Sequence, residues 1–385
     1  MDGAETALRS LKRYLDALGY HGAYKYLVTA NHYPVSGSAF NGAQRNALRR
    51  FDRQIHDDDR GIALARCLTT RTPCDKDDLT TVERDLAEEL VSAGLLTDQG
   101  EAFGPGDYQL VSAFDRYLLL DALINFDGGR MHDVYVGPDS YLVLYYSPVD
   151  QLRPEHRVLD LCTGTGIIAL GLSRFAGHVV ATDIGEAPLR LAQLNCALND
   201  VEDKVTIRRE DFHTTLASAE TFDLIVCNPP YVASPPDLPT PLYAQGADAD
   251  GLGLLRALME RAPAKLTPDG SAVFAADLVG DFTRPYYFDD LERIAKEQSL
   301  RIDAYIDNRL KGECQIPAFK FLFARTHPEI APEDIEERIR HFIFDELRAY
   351  CYYLTTLRVR RQPGDPGLRV FDRHRVTSFD GFFPI

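Results

Sequence analysis

The sequence predicts an α/β protein: a doubly wound, mainly parallel sheet of seven strands, preceded by a mainly helical N-terminal domain and followed by a C-terminal helical extension. Three observations carry that expectation. Between residues 131 and 327 short apolar runs alternate with helical patterns, as parallel strands covered by helices on both faces require. The run Val158-Leu159-Asp160-Leu161 passes directly into Cys162-Thr163-Gly164-Thr165-Gly166 and then an apolar helical stretch, the order found where a ligand meets the end of a strand. The chain is 385 residues long with 45% hydrophobic and 26% charged residues, which suits a well-buried core and exceeds one compact domain.

Taken in order, residues 1–130 form the mainly helical domain, with amphipathic stretches at 5–18, 43–55 and 81–93. The last runs through Gly94 to a turn at Gly104-Pro105-Gly106 and an apolar, aromatic run at 108–120. A helix followed by a short hairpin resembles a winged helix, a unit that serves nucleic-acid recognition or plain packing. Strands are expected at 157–161, 178–182, 204–208, 224–227, 271–276, 301–306 and 319–324 of the 131–327 domain. Beyond it, 328–385 is expected to hold a helix at 332–353, with Ile335, Ile339, Phe342, Ile343 and Leu347 on one face, and a polar tail. That segment suits covering the site, packing on the core or a homodimer interface.

Composition narrows the function. The formal net charge of −16 opposes a nucleic-acid partner, since such binders gain affinity by neutralising phosphates with Lys and Arg. Small cationic or zwitterionic partners fit better. The seven cysteines are scattered and never fall at the short spacings of zinc or redox motifs, so no metal is expected. No run is long and apolar enough to span a bilayer. The first residues interleave Glu5, Arg9, Lys12 and Arg13 with apolar ones, unlike a signal peptide, so a cytoplasmic location is expected.

Four motifs carry chemistry. The glycine turn lets a ligand approach the backbone; alone, it would equally serve a dinucleotide or a tight turn. Thr182-Asp183 ends the next strand, where an acid is placed to accept hydrogen bonds from both ribose hydroxyls of an adenosine ligand or to cap a helix. In Glu210-Asp211-Phe212 after the third strand, a carboxylate is placed to hold an adenine amino group and the aromatic to cover its face. Decisive is Asn228-Pro229-Pro230-Tyr231 after the strand ending at Cys227. The prolines remove donors and fix the chain's direction, so the Asn228 side-chain oxygen and the Pro229 carbonyl can hold both hydrogens of an NH2 group, with Tyr231 as a stacking face. Catalysis by such a turn is positioning and desolvation.

Together these residues resemble the class I S-adenosylmethionine-dependent methyltransferases of the Asn-Pro-Pro-Tyr type, in particular the protein glutamine N5-methyltransferases and related N-methyltransferases. The resemblance covers about residues 134–325 and implies a Rossmann-like fold. It implies that S-adenosylmethionine is held by Asp160, Gly164, Gly166, Asp183, Asp211 and Phe212 with Asn228 beside it, and that Asn228, Pro229 and Tyr231 bind the acceptor nitrogen. One segment departs: the release-factor enzymes carry an Arg-Pro-Glu-Thr-like sequence before the glycine turn, and this chain has Val136-Gly137-Pro138-Asp139-Ser140-Tyr141.

That departure and the acidic balance favour a small amino-acid-like acceptor, such as the guanidino nitrogen of arginine, in a specialised biosynthetic pathway. A guanidinium presents several N–H donors in a plane and must lose a proton, for which Tyr135, Asp139 and Tyr243 are the candidates. The alternatives are a protein glutamine, an RNA or DNA base, and a non-catalytic cofactor-binding partner subunit.

Overall fold

The computed structural model describes residues 2–21, 63–121, 134, 136–362 and 364–373; the expected helix at 43–55 and Tyr135 lie outside these. The N-terminal unit opens with helix Asp2–Leu18, which buries Leu8, Leu11 and Leu15 at helical spacing. After helix Ala63–Thr70 and strand β1 (Cys74–Asp75) comes helix Thr81–Ser92. A capping box starts it: Glu83 N–H donates to the Thr80 hydroxyl and Thr80 N–H to the Glu83 carboxylate. Strands β2 (Leu96–Asp98) and β3 (Ala102–Pro105) follow and join β1 in an antiparallel sheet of order β1-β3-β2. The β2–β3 turn is made by Gln99-Gly100, with Gly100 left-handed (φ 87°) and its N–H on Asp98 Oδ1 at 2.9 Å. The turn expected at Gly104-Pro105-Gly106 instead leads out of β3.

Strands β4 (Tyr108–Ala113) and β5 (Arg116–Asp121) form a separate hairpin. Two buried asparagines on helix Glu186–Leu198 and at its end satisfy the free edge of β5. Asn195 accepts from Leu119 N at 2.7 Å and donates to Leu119 O at 2.9 Å; Asn199 does the same for Tyr117 at 3.0 and 2.7 Å. An unpaired strand edge buried against a helix would otherwise leave four polar groups unsatisfied.

The larger unit is the expected α/β sheet, with helices on both faces. Its strands are β6 (Arg157–Leu161), β7 (His178–Asp183), β8 (Val205–Arg209), β9 (Phe222–Cys227), β10 (Leu266–Gly280), β11 (Leu300–Lys311), β12 (Cys351–Arg361) and β13 (Gly367–Asp372). Their order is β13-β11-β12-β10-β9-β6-β7-β8. β12 runs antiparallel to both neighbours; the other pairings are parallel. Val158, Leu159, Val180, Leu224, Ile225, Ala272 and Phe274 are fully buried, as strands covered on both faces should be.

Two expectations fail at the C-terminal side. Residues 319–324 are not a strand: they lie in helix Gly312–Thr326, whose buried Gly312, Ile316, Phe319 and Phe323 recur every three to four residues. The helix expected over 332–353 stops at His341, turns through a π-helical segment Phe342–Glu346, and gives way to β12. Strand β12 reads Tyr-Tyr-Leu-Thr-Thr-Leu from Tyr352 to Leu357, rich in aromatic and β-branched residues. The seventh strand therefore comes from beyond residue 328, and β13 adds an eighth, where a helical extension was expected.

Candidate active site

The functional loops gather at the carboxyl ends of β6, β7, β8, β9 and β10, around a cavity of about 1370 Å³. Ordinary ligand pockets occupy about 300–1,000 Å³, so this one has room for a nucleoside-type cofactor and an acceptor side by side. Gly164, Asp183, Phe212, Asn228, Tyr243 and Asp277 mark points around its wall.

On the first side, the turn after β6 takes three left-handed residues, Cys162 (φ 55°), Gly164 (φ 56°) and Gly166 (φ 79°). At Gly166 the left-handed φ favours glycine, and a Cβ would also crowd that of Ala192 at 3.2 Å. Asp160 stays behind the turn, fully buried and outside the cavity lining. Its Oδ2 accepts from the Thr163 hydroxyl at 2.6 Å and Ala169 N–H at 3.0 Å. Burial pushes its carboxyl up to about 7, with the nearby Asp183 charge adding to the shift. Asp160 is thus placed to shape the turn, and its Oδ1 has no partner among the described residues.

Asp183 does line the cavity. Its Oδ2 accepts from Gly164 N–H at 3.0 Å and its Oδ1 from Gly185 N–H at 2.9 Å, leaving a second lone pair on each oxygen. Burial raises its carboxyl despite those N–H bonds. Asp211 borders the cavity but is exposed and occupied as the cap of helix Phe212–Ala217, accepting from Thr214 N–H at 3.0 Å and from the Thr214 hydroxyl. Those bonds hold its carboxyl below the usual range. Phe212 is buried with its ring on the cavity wall.

The Asn228 turn is organised from behind by a residue pair the chain supplies 88–89 positions earlier. Helix Pro138–Tyr146 starts on Pro138 and packs against β10 and β12. Its buried Asp139 and Ser140 accept from Asn228 Nδ2, each at 3.0 Å, and the Tyr231 hydroxyl donates to Asp139 Oδ2 at 2.5 Å. The Asn228 amide nitrogen is therefore fully engaged, and Asn228 Oδ1 has no partner among the described residues. Burial raises the Asp139 carboxyl, opposed by its bonds to Tyr231 and Asn228. Pro229 is buried and lines the cavity with Tyr231 and the half-buried Tyr243. The loop after the turn is pinned against it: Val232 N–H donates to Ala244 O at 3.0 Å, and a Cβ on Gly251 would sit 2.2 Å from Tyr231 O.

Of the residues expected from sequence, Asp139, Gly164, Asp183, Asp211, Phe212, Asn228, Pro229, Tyr231 and Tyr243 line the cavity, and Asp160 and Gly166 lie behind it. Asp139, a candidate proton acceptor, also holds Asn228 and Tyr231. Asp160, expected on the cofactor, supports the turn. Tyr135 lies outside the described residues. Ser140, Asp277, Gln315 and Tyr352 were missed; Asp277 follows the apolar run Ala272–Ala276, where a lone acid was the available signal, and Tyr352 was hidden in a segment expected to be helical.

Residues 143–279 match the family model of the methyltransferase small domain. The ribosomal protein uL3 glutamine methyltransferase of Bradyrhizobium diazoefficiens is 37% identical over 154 residues, 38% of this chain and 47% of the relative. The release factor glutamine methyltransferase of Cereibacter sphaeroides is 40% identical over 128 residues, 31% and 45% of the two chains. The chain thus spans about half the length of these relatives. A solved ribosomal protein L11 methylase from Lactobacillus delbrueckii subsp. bulgaricus aligns over 58% of this chain and 77% of its own, at 19% identity and a TM-score of 0.32. Among the described residues no helix is long and apolar enough to cross a membrane. The glycine turn, the strand-end acid and the Asn-Pro-Pro-Tyr turn that meet in one cavity all fall within 143–279, the segment that is similar to the methyltransferase small domain.

Proposed function

We propose that the protein methylates the nitrogen of a side-chain carboxamide, with glutamine as the favoured acceptor. The observation that carries this is the state of Asn228: its NH2 is held by Asp139 and Ser140, so its oxygen is presented as an acceptor at the wall of the cavity. An amide free to flip would offer donor and acceptor alternately; here the NH2 is engaged by Asp139 and Ser140, and the oxygen is left without a partner among the described residues. Asn228 Oδ1 and the Pro229 carbonyl take the two N–H groups of the acceptor, and Tyr231 covers it. The relatives whose names give glutamine in a ribosomal protein or a release factor as the target support a carboxamide over the guanidino group favoured from sequence.

S-adenosylmethionine supplies an electrophilic methyl group when bound. Gly164, Asp183 and Phe212 line the part of the cavity suited to it. Asp183 is placed to accept from the ribose hydroxyls, and Phe212 to cover the adenine. The chain's own contribution to the reaction is to orient the nitrogen and exclude water, since a neutral amide is a weak nucleophile that gains most from alignment.

The test is methyl transfer from labelled cofactor to peptides carrying the glutamine regions of uL3 and release factors. Transfer is expected in the wild-type protein. Asn228→Ala is expected to lose roughly a hundredfold or more in turnover, the scale seen when an oriented polar contact is removed, with cofactor affinity by calorimetry nearly unchanged. Full turnover in that variant would discard the acceptor site.

A further inference from the structure

Beyond Asn228, the cavity has a second polar wall. Strands β10, β12 and β11 lie side by side, with Val279 opposite Tyr352, Asp277 opposite Leu354, Leu310 opposite Tyr352 and Asn308 opposite Leu354. Side chains at every second position share a face, and on this face Asp277, Tyr352, Leu354, Asn308 and Leu310 all line the cavity. Helix Gly312–Thr326 covers it, and Gln315 Nε2 donates to Asp277 Oδ2 at 3.2 Å. The other Asp277 oxygen accepts from none of the described residues. The Tyr352 hydroxyl is also unpartnered among them, in a residue only 2% exposed.

Asp277 and Asp139 make this wall doubly acidic. Among the described residues neither forms an ion pair; their bonds come from Gln315, Asn228 and Tyr231, all neutral. Two enclosed carboxylates without a countercharge settle in one of two ways: one keeps a proton, or a cation joins them. Burial and the proximity of Asp139 push the Asp277 carboxyl up to about 7, so it ionises readily once a positive group arrives.

We propose that Asp277, held by Gln315 and flanked by the Tyr352 hydroxyl, recognises a positively charged nitrogen group, an ammonium or guanidinium, carried by the acceptor molecule beside the nitrogen that is methylated. This deepens the carboxamide reading and rests on it for where the acceptor sits. Asp277 here is a specificity residue: its carboxylate is the acceptor for N⁺–H donors, and Gln315 fixes its rotamer.

The test uses the full chain saturated with S-adenosylhomocysteine and titrated by calorimetry at pH 7 with two probes, L-glutaminamide and Nα-acetyl-L-glutaminamide. They share the side-chain carboxamide and differ in the α-ammonium. The wild-type protein is expected to bind the cationic probe about tenfold more tightly, and in Asp277→Asn the ratio is expected to fall to about one. Equal affinities in the wild-type protein, absence of binding included, overturn the proposal whatever the variant does, as does an unchanged ratio in a folded Asp277→Asn protein. Labelled methyl transfer to the uL3 and release-factor glutamine peptides is measured in parallel. A binding preference without transfer overturns the carboxamide reading and leaves the cation site standing.

Discussion

Asp160 shows how much a single carboxylate's position decides. Buried behind the turn after β6, it is a strut that fixes the Thr163 hydroxyl and the start of the following helix. Its carboxyl is raised from 3.8 to about 7 by burial, so between those values the folded protein keeps a proton that the unfolded chain gives up. Stability from this group is therefore present at low pH and lost as pH rises from about 4 to about 7. At about 1.4 kcal/mol per pKa unit the loss is on the order of 4 kcal/mol. Urea unfolding at pH 5 and pH 8 is expected to show a smaller pH-dependent drop in Asp160→Asn than in wild type; identical drops would remove the assignment. Asn228 was legible from sequence because its neighbours in the chain are diagnostic. Asp139 was named for another task, because its partners Asn228 and Tyr231 are 89 and 92 positions away.

At the scale of elements, helix Glu186–Leu198 joins the two units of the molecule. Asn195 serves three groups at once: it exchanges two hydrogen bonds with Leu119 on β5 and donates to Thr165 O in the glycine turn at 2.9 Å. The N-terminal hairpin and the glycine turn thus share one buried side chain. Asn195→Ala leaves Leu119 N–H, Leu119 O and Thr165 O without that partner, at roughly 1–3 kcal/mol for each group left unsatisfied. The variant is expected to melt well below the wild type and to bind S-adenosylhomocysteine more weakly in calorimetry. A variant with lowered stability and unaltered cofactor affinity would show that the turn does not depend on this link. The sequence offered little warning, since an asparagine inside a helix pattern reads as a solvent-facing residue. The same limit applies to 319–324, where Phe-Lys-Phe-Leu-Phe-Ala alternates like a strand; only the seam with Gly312 and Ile316 reveals the helix.

For the whole molecule, the consequence concerns where the chain can be cut. The expected boundary at residue 328 would leave a complete sheet before it, yet β12 lies between β10 and β11 and pairs with both. A chain ending at 328 is expected to be insoluble or molten, with near-ultraviolet circular dichroism lost; a cooperatively unfolding truncated protein would contradict the topology. The sequence by itself determined the local features: the strand ending in the glycine turn, the acids at the next strand ends, the Asn-Pro-Pro-Tyr turn, and the alternation that makes a parallel sheet. Each is written in adjacent residues, because strand period, turn chemistry and helix starts depend on near neighbours. Only the tertiary structure decided which late segment fills the gap between β10 and β11, which acid locks Asn228, and that Asp277 and Tyr352 face the same cavity. Those are pairings over tens to hundreds of residues, set by burial and hydrogen-bond satisfaction in the folded chain, and no local pattern records them.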